Sequence, residues 1–397
     1  MLVTDFLQMI KNRSEPSWLK QRRLDTFTKF SQLKMPDSKE EEWRYIDISQ
    51  VNLDNVKIDG YTDISIDFGN DVIVLLMKEA LNKFSDMINE HAFSLFTDAD
   101  KFVSFVSSFW NNGVFVYVPK NVQAEFPVTV KINNTNNPVY SLVVLDENSK
   151  LNFVEENVAD KINPIVSDKI NPIVSTSVTE IFVKENSKLN FFCSQILPEN
   201  LYSFYYKRAS VERGAEINWF LGSFGAKLSR WKVETFLKGE NAKCQKYGIY
   251  AGNKNQHHDI ITKTFHLVPH TSNNILVKGV LTGRASSVYR GLIRIEKNAQ
   301  QTLSYMGAHT LLLSNKAKSN NIPSLEIEAN DVRATHGSSV GQLEEEKLFY
   351  LMSRGLDRKL AENIIVEGFL ETVLNKFTSD EVREKFRAIT NERLLNA

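Results

Sequence analysis

Seven histidines and two cysteines are the side chains best suited to hold a metal or act as nucleophiles, and every histidine except His91 lies between His257 and His336. Such clustering raises a metal site. Yet no pair has the HExxH, HxH or cysteine-rich spacing that fixes a zinc or iron geometry by itself. His257 and His258 are adjacent, so on a strand they point to opposite faces and at most one reaches a common site. His266 and His270 are four residues apart across Pro269, which on extended chain puts them on one side but about 13 Å from each other. These four read as structural or surface residues. His336 differs, because it stands in Ala334-Thr-His-Gly-Ser-Ser-Val-Gly-Gln342, a small-residue stretch expected to join the last strand to the first C-terminal helix. Gly337 and Gly341 there let a second backbone approach closely. An exposed imidazole in that setting can ligate a metal shared with another chain, the plain alternative being a solvated loop histidine.

Cys193 and Cys244 are too few for a disulfide framework or for an all-cysteine metal or cluster site within one chain. Their scarcity points to a reduced, cytosolic compartment. The chain has no P-loop, dinucleotide glycine fingerprint, nucleophile elbow or kinase signature, so it is not expected to hydrolyse ATP. Acidic residues in the middle of the chain fall mostly in turns and form no aligned set, which leaves a carbohydrate-cleaving solenoid as a minor alternative. Arg284, Arg290 and Arg294, at strand-compatible spacing, read as a solvated or interface face.

The elements that must position these residues follow from periodicity. Residues 1 to about 50 repeat apolar residues at helical spacing, and Glu41-Glu-Trp-Arg-Tyr45 lies in a polar turn that runs into an aromatic patch. A strand at Val72–Met77, a helix at Lys78–Ile88 and a further helix up to Trp110 come next. After Gly113 the texture changes to short runs such as VFVYV, PVTVKI and YSLVVL, broken by Gly, Asn and Pro, which predicts about two hundred residues of β structure. The last sixty return to helix: one opens at Glu344 and ends at Gly355, a second is capped by Asp357, and a third runs from about Ser379 to Leu395. The hairpin's broad apolar face must pack on the β body, a partner or both.

Repeats decide the kind of β structure. Asp160–Ser167 is copied identically in Asp168–Ser175, a duplication expected in a tolerant loop and assigned no function. More informative is a recurring turn with a small residue at Ser149, Ser187, Ala215, Ala242, Ala299 and Ala317, whose successive gaps in numbering are 38, 28, 27, 57 and 18. Allowing for the duplication, and reading the widest gap as two units, the repeat is roughly 27 to 30 residues. Stacked coils only ~4.8 Å apart need such a residue at each corner, so the pattern predicts a parallel β-solenoid rather than a sandwich.

Composition narrows the class. Lys+Arg and Asp+Glu are equal at 48 each, which removes the strongly basic surface of a nucleic-acid or anionic-membrane binder. No run approaches the 18 or so apolar residues needed to cross a bilayer. The N-terminus lacks a basic n-region and a cleavage site and reads as the start of a mature, unexported chain.

The block Ala334-Thr-His-Gly-Ser-Ser-Val-Gly-Gln-Leu-Glu-Glu-Glu-Lys-Leu-Phe-Tyr-Leu-Met-Ser-Arg-Gly355, followed by Glu367-Gly-Phe369, resembles the SufB/SufD scaffold proteins of iron–sulfur cluster assembly. His270-Thr-Ser, Lys278-Gly-Val, Tyr289-Arg-Gly291 and Glu41-Glu-Trp-Arg-Tyr45 extend the resemblance over most of the chain. The HGSSVGQ form is similar to SufD. SufB-like chains carry an acid-flanked histidine there and a cysteine one strand earlier, where this chain has Ala317. The resemblance implies a mainly β protein: a right-handed parallel β-helix core (111–335), a helical N-terminal region (1–110) and a C-terminal helical region (336–397) that binds SufC. It implies a non-catalytic subunit that pairs through its β-helix with SufB and grips the SufC ATPase with its C-terminal helices. Leu348, Tyr350, Leu351, Arg354, Glu367, Phe369 and Val373 are the residues this assigns to SufC. His336 would supply one ligand to an iron–sulfur cluster held transiently with SufB across the interface, none being bound stably by this chain alone. A homodimeric scaffold without a SufB paralogue, with Cys193 and Cys244 as sulfur acceptors, is the alternative.

Overall fold

The computed structural model describes residues 3–395 apart from 57, 59–61, 134–135 and 160–171. Two nine-stranded sheets dominate it. The first runs β1 (Asp63–Asp67), β4 (Val128–Asn133), β6 (Lys150–Val158), β8 (Lys188–Leu197), β10 (Glu216–Gly225), β12 (Lys243–Gly252), β14 (Ser272–Leu281), β16 (Thr302–Leu312) and β18 (Val332–Gln342). The second runs β2 (Ile73–Leu76), β3 (Val114–Val118), β5 (Val139–Leu145), β7 (Ile173–Val183), β9 (Leu201–Val211), β11 (Leu228–Leu237), β13 (His257–His266), β15 (Ser286–Ile295) and β17 (Lys318–Ile327). From β3 onward the chain alternates between sheets and every pairing is parallel, which is a parallel β-solenoid. Among the described residues only β1 on β4 and β2 on β3 are antiparallel, and they cap the N-terminal end.

Register gives the coil length directly. From β7 onward the tightest step carries Tyr202 to its partner Leu228 and the widest carries Ser286 to Lys318, so the expected repeat is the coil itself. The step from Lys150 to Lys188 is longer because the tandem copy is inserted within it. Most of that copy lies outside the described residues, and β7 begins within its second half. At one corner Asn148, Asn186, Gly214, Asn241, His270 and Gln301 stack in register, all left-handed with φ between 56° and 66°. The next residue in each of the first five coils, Ser149, Ser187, Ala215, Ala242 and Thr271, is small or short and buried. Thr271 marks the coil hidden in the widest gap of the small-residue series. Ala317 belongs instead to the opposite corner, above Ala285, which explains its irregular spacing.

Helices cover both outer faces. In the N-terminal region, α1 (Val3–Asn12), α2 (Ser17–Gln32), α3 (Met77–Lys83), α4 (Ser85–His91) and α5 (Lys101–Phe109) share one apolar core with outward residues of the second sheet such as Tyr140, Val178 and Phe204. Glu41-Glu-Trp-Arg-Tyr45 fastens this layer down. Trp43 stacks on Phe102 at 5.3 Å and lies under the Arg230 guanidinium at 3.9 Å, while Glu42 pairs with Lys232 at 2.9 Å, with Lys263 and with Arg230. At the other end α6 (Glu345–Ser353), α7 (Arg358–Leu374) and α8 (Asp380–Leu395) follow the strands. Leu370, Val373, Phe377 and Phe386 pack on Phe192, Phe220 and Phe224 of the first sheet.

One expectation is corrected. The stretch 334–342 is not a connecting loop but strand β18, paired residue for residue with β16, so the sheet runs on to Gln342. Its glycines and serines have weak strand propensity, and the ready edge of β16 overrides it.

The solenoid interior is largely apolar, with Phe153, Phe191 and Trp219 stacked 5.0 and 5.1 Å apart. Set into it is a buried polar group: Lys207 Nζ donates to both Glu155 oxygens at 2.8 and 2.9 Å, and Cys193 Sγ donates to Glu155 at 3.3 Å. Burial and the Glu155 charge push the Cys193 thiol well up. Cys244 is equally buried. Neither thiol is therefore placed to accept sulfur from a protein donor at the surface. Both are expected to resist a colourimetric thiol reagent in the native protein and to react at once in denaturant; rapid native reaction of two thiols per chain would contradict this burial.

Burial alone would raise the Glu42 pKa, but Lys232 and Lys263 outweigh it and hold it at about 2. A carboxylate depressed in the folded state stabilises above its unfolded pKa and loses that contribution as pH falls towards its folded one. Glu42→Gln should therefore cost roughly 1 to 2 kcal/mol at neutral pH, discounted for partial exposure, and almost nothing near pH 2. Denaturant melts of both proteins between pH 7 and pH 2 test the convergence.

Candidate functional site

The C-terminal end of the solenoid is where the sequence's best chemical residue comes to lie. In register, His336 sits beside Met306, Ala334 beside Ser304 and Ser338 beside Ala308. Paired residues on parallel strands share a face. Met306 is fully buried in the interior core, so His336 points the same way, into the mouth of the solenoid, yet it is exposed because no coil follows. Across the mouth β17 presents Ser319 and Asn321. Asn321 Nδ2 donates to Ala308 O and Ser339 O, each at 3.1 Å, and ties the two terminal strands together. Ser319 Oγ lies 2.8 Å from Ser287 Oγ and 3.1 Å from Thr310 Oγ1, which in turn meets the Tyr250 hydroxyl at 2.7 Å. The rim is thus a connected hydroxyl and amide network with one imidazole. Gly341 lies on the outer face of β18, in register with Leu311, and a Cβ there would meet nothing within 4 Å.

His309 is a residue that spacing did not single out. It lies on the outer face of β16, with Nδ1 2.8 Å from Ser339 Oγ. Burial, and then the Lys278 charge, lower its pKa. Only the register linking it to Ser339 and Lys278 could have revealed it. The remaining histidines have local partners. His258 and His266 are inside the solenoid, bonded through Nδ1 to Ser223 at 3.0 Å and Thr271 at 2.7 Å, and burial lowers both to about 3. His257 meets Ser286 at 2.8 Å, His91 meets Met87 O at 2.9 Å, and His270 is a left-handed corner. Among the described residues no three His, Cys, Asp or Glu side chains gather where they could hold a metal ion. Arg290 pairs with the buried Asp259, and Arg294 pairs with Glu296 at 2.8 Å.

The second region is the C-terminal hairpin. Of its expected partner-facing residues, Tyr350 is 58% exposed and Arg354 lies 5.3 Å from its ring, while Glu367 is exposed and Leu351 half-buried. Leu348 and Val373 are fully buried and serve the packing of the helices, so they offer no surface. Phe369 is half-buried: Lys278 Nζ lies 4.2 Å from its ring and donates to its carbonyl at 2.7 Å. The exposed apolar set is instead Phe349 (75%), Tyr350, Met352, Leu360 and Ile364. Helical phase separates them: Phe349 and Tyr350 follow Leu348 around α6, away from the side that is buried.

Comparison with known proteins agrees with this architecture. Residues 130–369 match the family model described as SUF system FeS cluster assembly, SufBD core domain. The iron-sulfur cluster assembly protein SufB of Bacillus subtilis is 31% identical over 318 residues, covering 79% of this chain and 67% of that one. An iron-sulfur cluster assembly SufBD family protein of Staphylococcus epidermidis is 30% identical over the same length and coverage. None of the helices among the described residues is long and apolar enough to cross a membrane. With a family model spanning most of the solenoid, α6 and most of α7, the chain belongs to the SufBD family of iron–sulfur cluster assembly proteins.

Proposed function

We propose that this chain is the SufD-like, non-catalytic scaffold of a cytosolic assembly platform that it forms with a cysteine-bearing SufB and the SufC ATPase. The observation that carries the reading is His336, an exposed imidazole on the inward face of the terminal strand, which a second chain docked end-on can reach. Among the described residues no further strand lies beside the edges of β17 and β18, and such edges are templates for pairing. Ile327 and Val340, 40% and 42% exposed, add apolar surface at the same end. With Ala317 where SufB-like chains carry a cysteine, the thiolates come from the partner, and a single imidazole among thiolates is a recognised ligand type for such centres. In this reading the cluster is the platform's cargo.

The exposed apolar set on the hairpin supports SufC as its occupant. It is continuous with acidic and basic residues, Glu345 pairing with Arg358 at 2.9 Å, that suit a partner of mixed charge.

Anaerobic purification of the tagged chain from its host tests the platform. An ABC-type ATPase and a cysteine-bearing paralogue should co-purify, with iron and acid-labile sulfide; recovery of two copies of this chain alone would favour the homodimeric scaffold. His336→Ala should leave the complex assembled but depleted of iron and sulfide, and unchanged cluster yield removes His336 from the site. For the ATPase contact, Phe349→Asp is preferable to a change at Phe369, which holds α7 to its own sheet. It should release the ATPase by at least about a hundredfold in affinity without altering the melting temperature; retained binding would redirect the search to another face.

A further inference from the structure

Far from the mouth, a crevice of about 340 Å³ opens between α2, α5 and the segment 92–99. Its inner wall carries Ser104 and Ser107, one turn apart on α5. Both residues are buried, and neither hydroxyl has a hydrogen-bond partner among the described residues. Buried hydroxyls are ordinarily paired, so two unpaired ones lining the same space point to something that pairs them. The outer wall is held in place rather than collapsed inward. Phe93 is left-handed at φ 56°, an unusual conformation for an aromatic residue. It is kept there by the Glu180 carboxylate, which accepts from the Phe93 amide and from the Leu95 amide at 2.7 Å, and by Arg22, which donates to Ala92 O at 2.8 Å. Strain of this kind persists only where its surroundings over-determine it. Phe93 and Phe96 give the crevice apolar sides, while Lys29 and Glu90 stand exposed at its lip, neither paired with any other described side chain.

We propose that this crevice binds a small zwitterion of the amino-acid class, its carboxylate towards Lys29, its ammonium towards Glu90 and a polar side-chain end on the Ser104 and Ser107 hydroxyls. The volume lies at the low end of the about 300 to 1,000 Å³ usual for small-molecule sites, which suits such a ligand and leaves no room for a dinucleotide. Arg22 and Lys29 against the single carboxylate of Glu90 disfavour a simple cation and favour a ligand carboxylate, and Glu90 offers a place for an ammonium that a simple anion lacks. A molecule carrying both charges meets neither objection. The site is independent of the assembly platform, and its test does not depend on that reading.

Isothermal titration of the full chain with L-serine, L-cysteine, L-glutamine and glycine decides it. At least one of the first three should saturate, with glycine, which lacks the polar end, weaker by about tenfold. The double variant Ser104→Ala/Ser107→Ala should bring the better ligand down to the affinity of glycine, while Lys29→Gln and Glu90→Gln should each weaken all binding by about tenfold. Removing unpaired hydroxyls should leave the unliganded melting temperature equal or higher. If that temperature falls instead, the two lip variants, on exposed side chains, carry the test. Absence of saturation by every ligand to roughly 10 mM overturns the proposal, as does binding that neither lip variant changes.

Discussion

The constraint on which the rest depends is the corner where each coil leaves the second sheet for the first. Coils that rest ~4.8 Å apart leave room for only one backbone path, repeated from coil to coil. That path requires one left-handed residue followed by a short buried one. Asn and Gly adopt the left-handed region at little cost, which accounts for Asn148, Asn186, Gly214 and Asn241. His270 and Gln301 adopt it too, at a cost of about 1 kcal/mol each, offset by the amide bonds they donate to Gln300 O and Asp331 O in the following coil. Once the corners are stacked, every strand is in register. The interior aromatic stack and the outer ladder of Asn152, Asn190 and Asn218, bonded at 2.8 and 2.9 Å, follow as consequences.

Stacking fixes the sides of the solenoid but not its ends, and the two ends are treated differently. Antiparallel β1 and β2 close the first coils, while Trp43 and Glu42 fasten the N-terminal layer further along, to Arg230 and Lys232 of β11 and Lys263 of β13. The last coil has no counterpart. Its strands carry Lys318, Glu326, Arg333 and exposed serines, polar groups of the kind that discourage indiscriminate edge pairing while leaving the edge usable by one complementary surface. The hairpin that follows does not fold over the mouth. It turns back along the outer face of the first sheet, where Phe377 and Phe386 lie 4.9 Å apart in its core.

Much of this was legible in the sequence because repetition amplifies a weak signal. Six small-residue turns carried the solenoid and its coil length, and the helix caps at Asp357 and Gly355 carried the hairpin. What was not legible had local cues that contradicted the tertiary context. The segment 334–342 looks like a loop from its glycines and serines, and only the neighbouring β16 makes it a strand. Strand β1, Asp63-Ile-Ser-Ile-Asp67, carries only two isoleucines between aspartates and so little apolar signal, and Ala317 falls in the wrong series because both corners use a small residue. On the hairpin, Leu348 and Val373 could not be told from Phe349 by residue type, since an apolar face meant for the protein and one left outside have the same composition. His309 acquires its setting only through neighbours a full coil away in the chain.

The orientation of His336 shows how far such placement reaches back. A slip of one residue between β16 and β18 would turn the imidazole to the outer face. The register is held by what lies beneath it: Met306 fills the coil below, and it fits because position 291 on the facing wall is glycine. A Cβ there would come within 1.9 Å of the Met306 sulfur. Two coils further down, on β12, Tyr250 fills the interior because position 279 on the intervening strand is glycine, where a Cβ would fall 1.9 Å from its ring. Larger residues at either position would displace Tyr250 or Met306 from these places. The glycines of Lys278-Gly-Val and Tyr289-Arg-Gly291 therefore leave room for the Tyr250 ring and the Met306 side chain, and through Met306 the glycine at 291 acts on the terminal histidine without touching it. Gly291, Met306 and His336, far apart in the chain, are in three dimensions one run of packing that ends at the imidazole, while Gly279 lies in another row, with Tyr250, Thr310 and Val340.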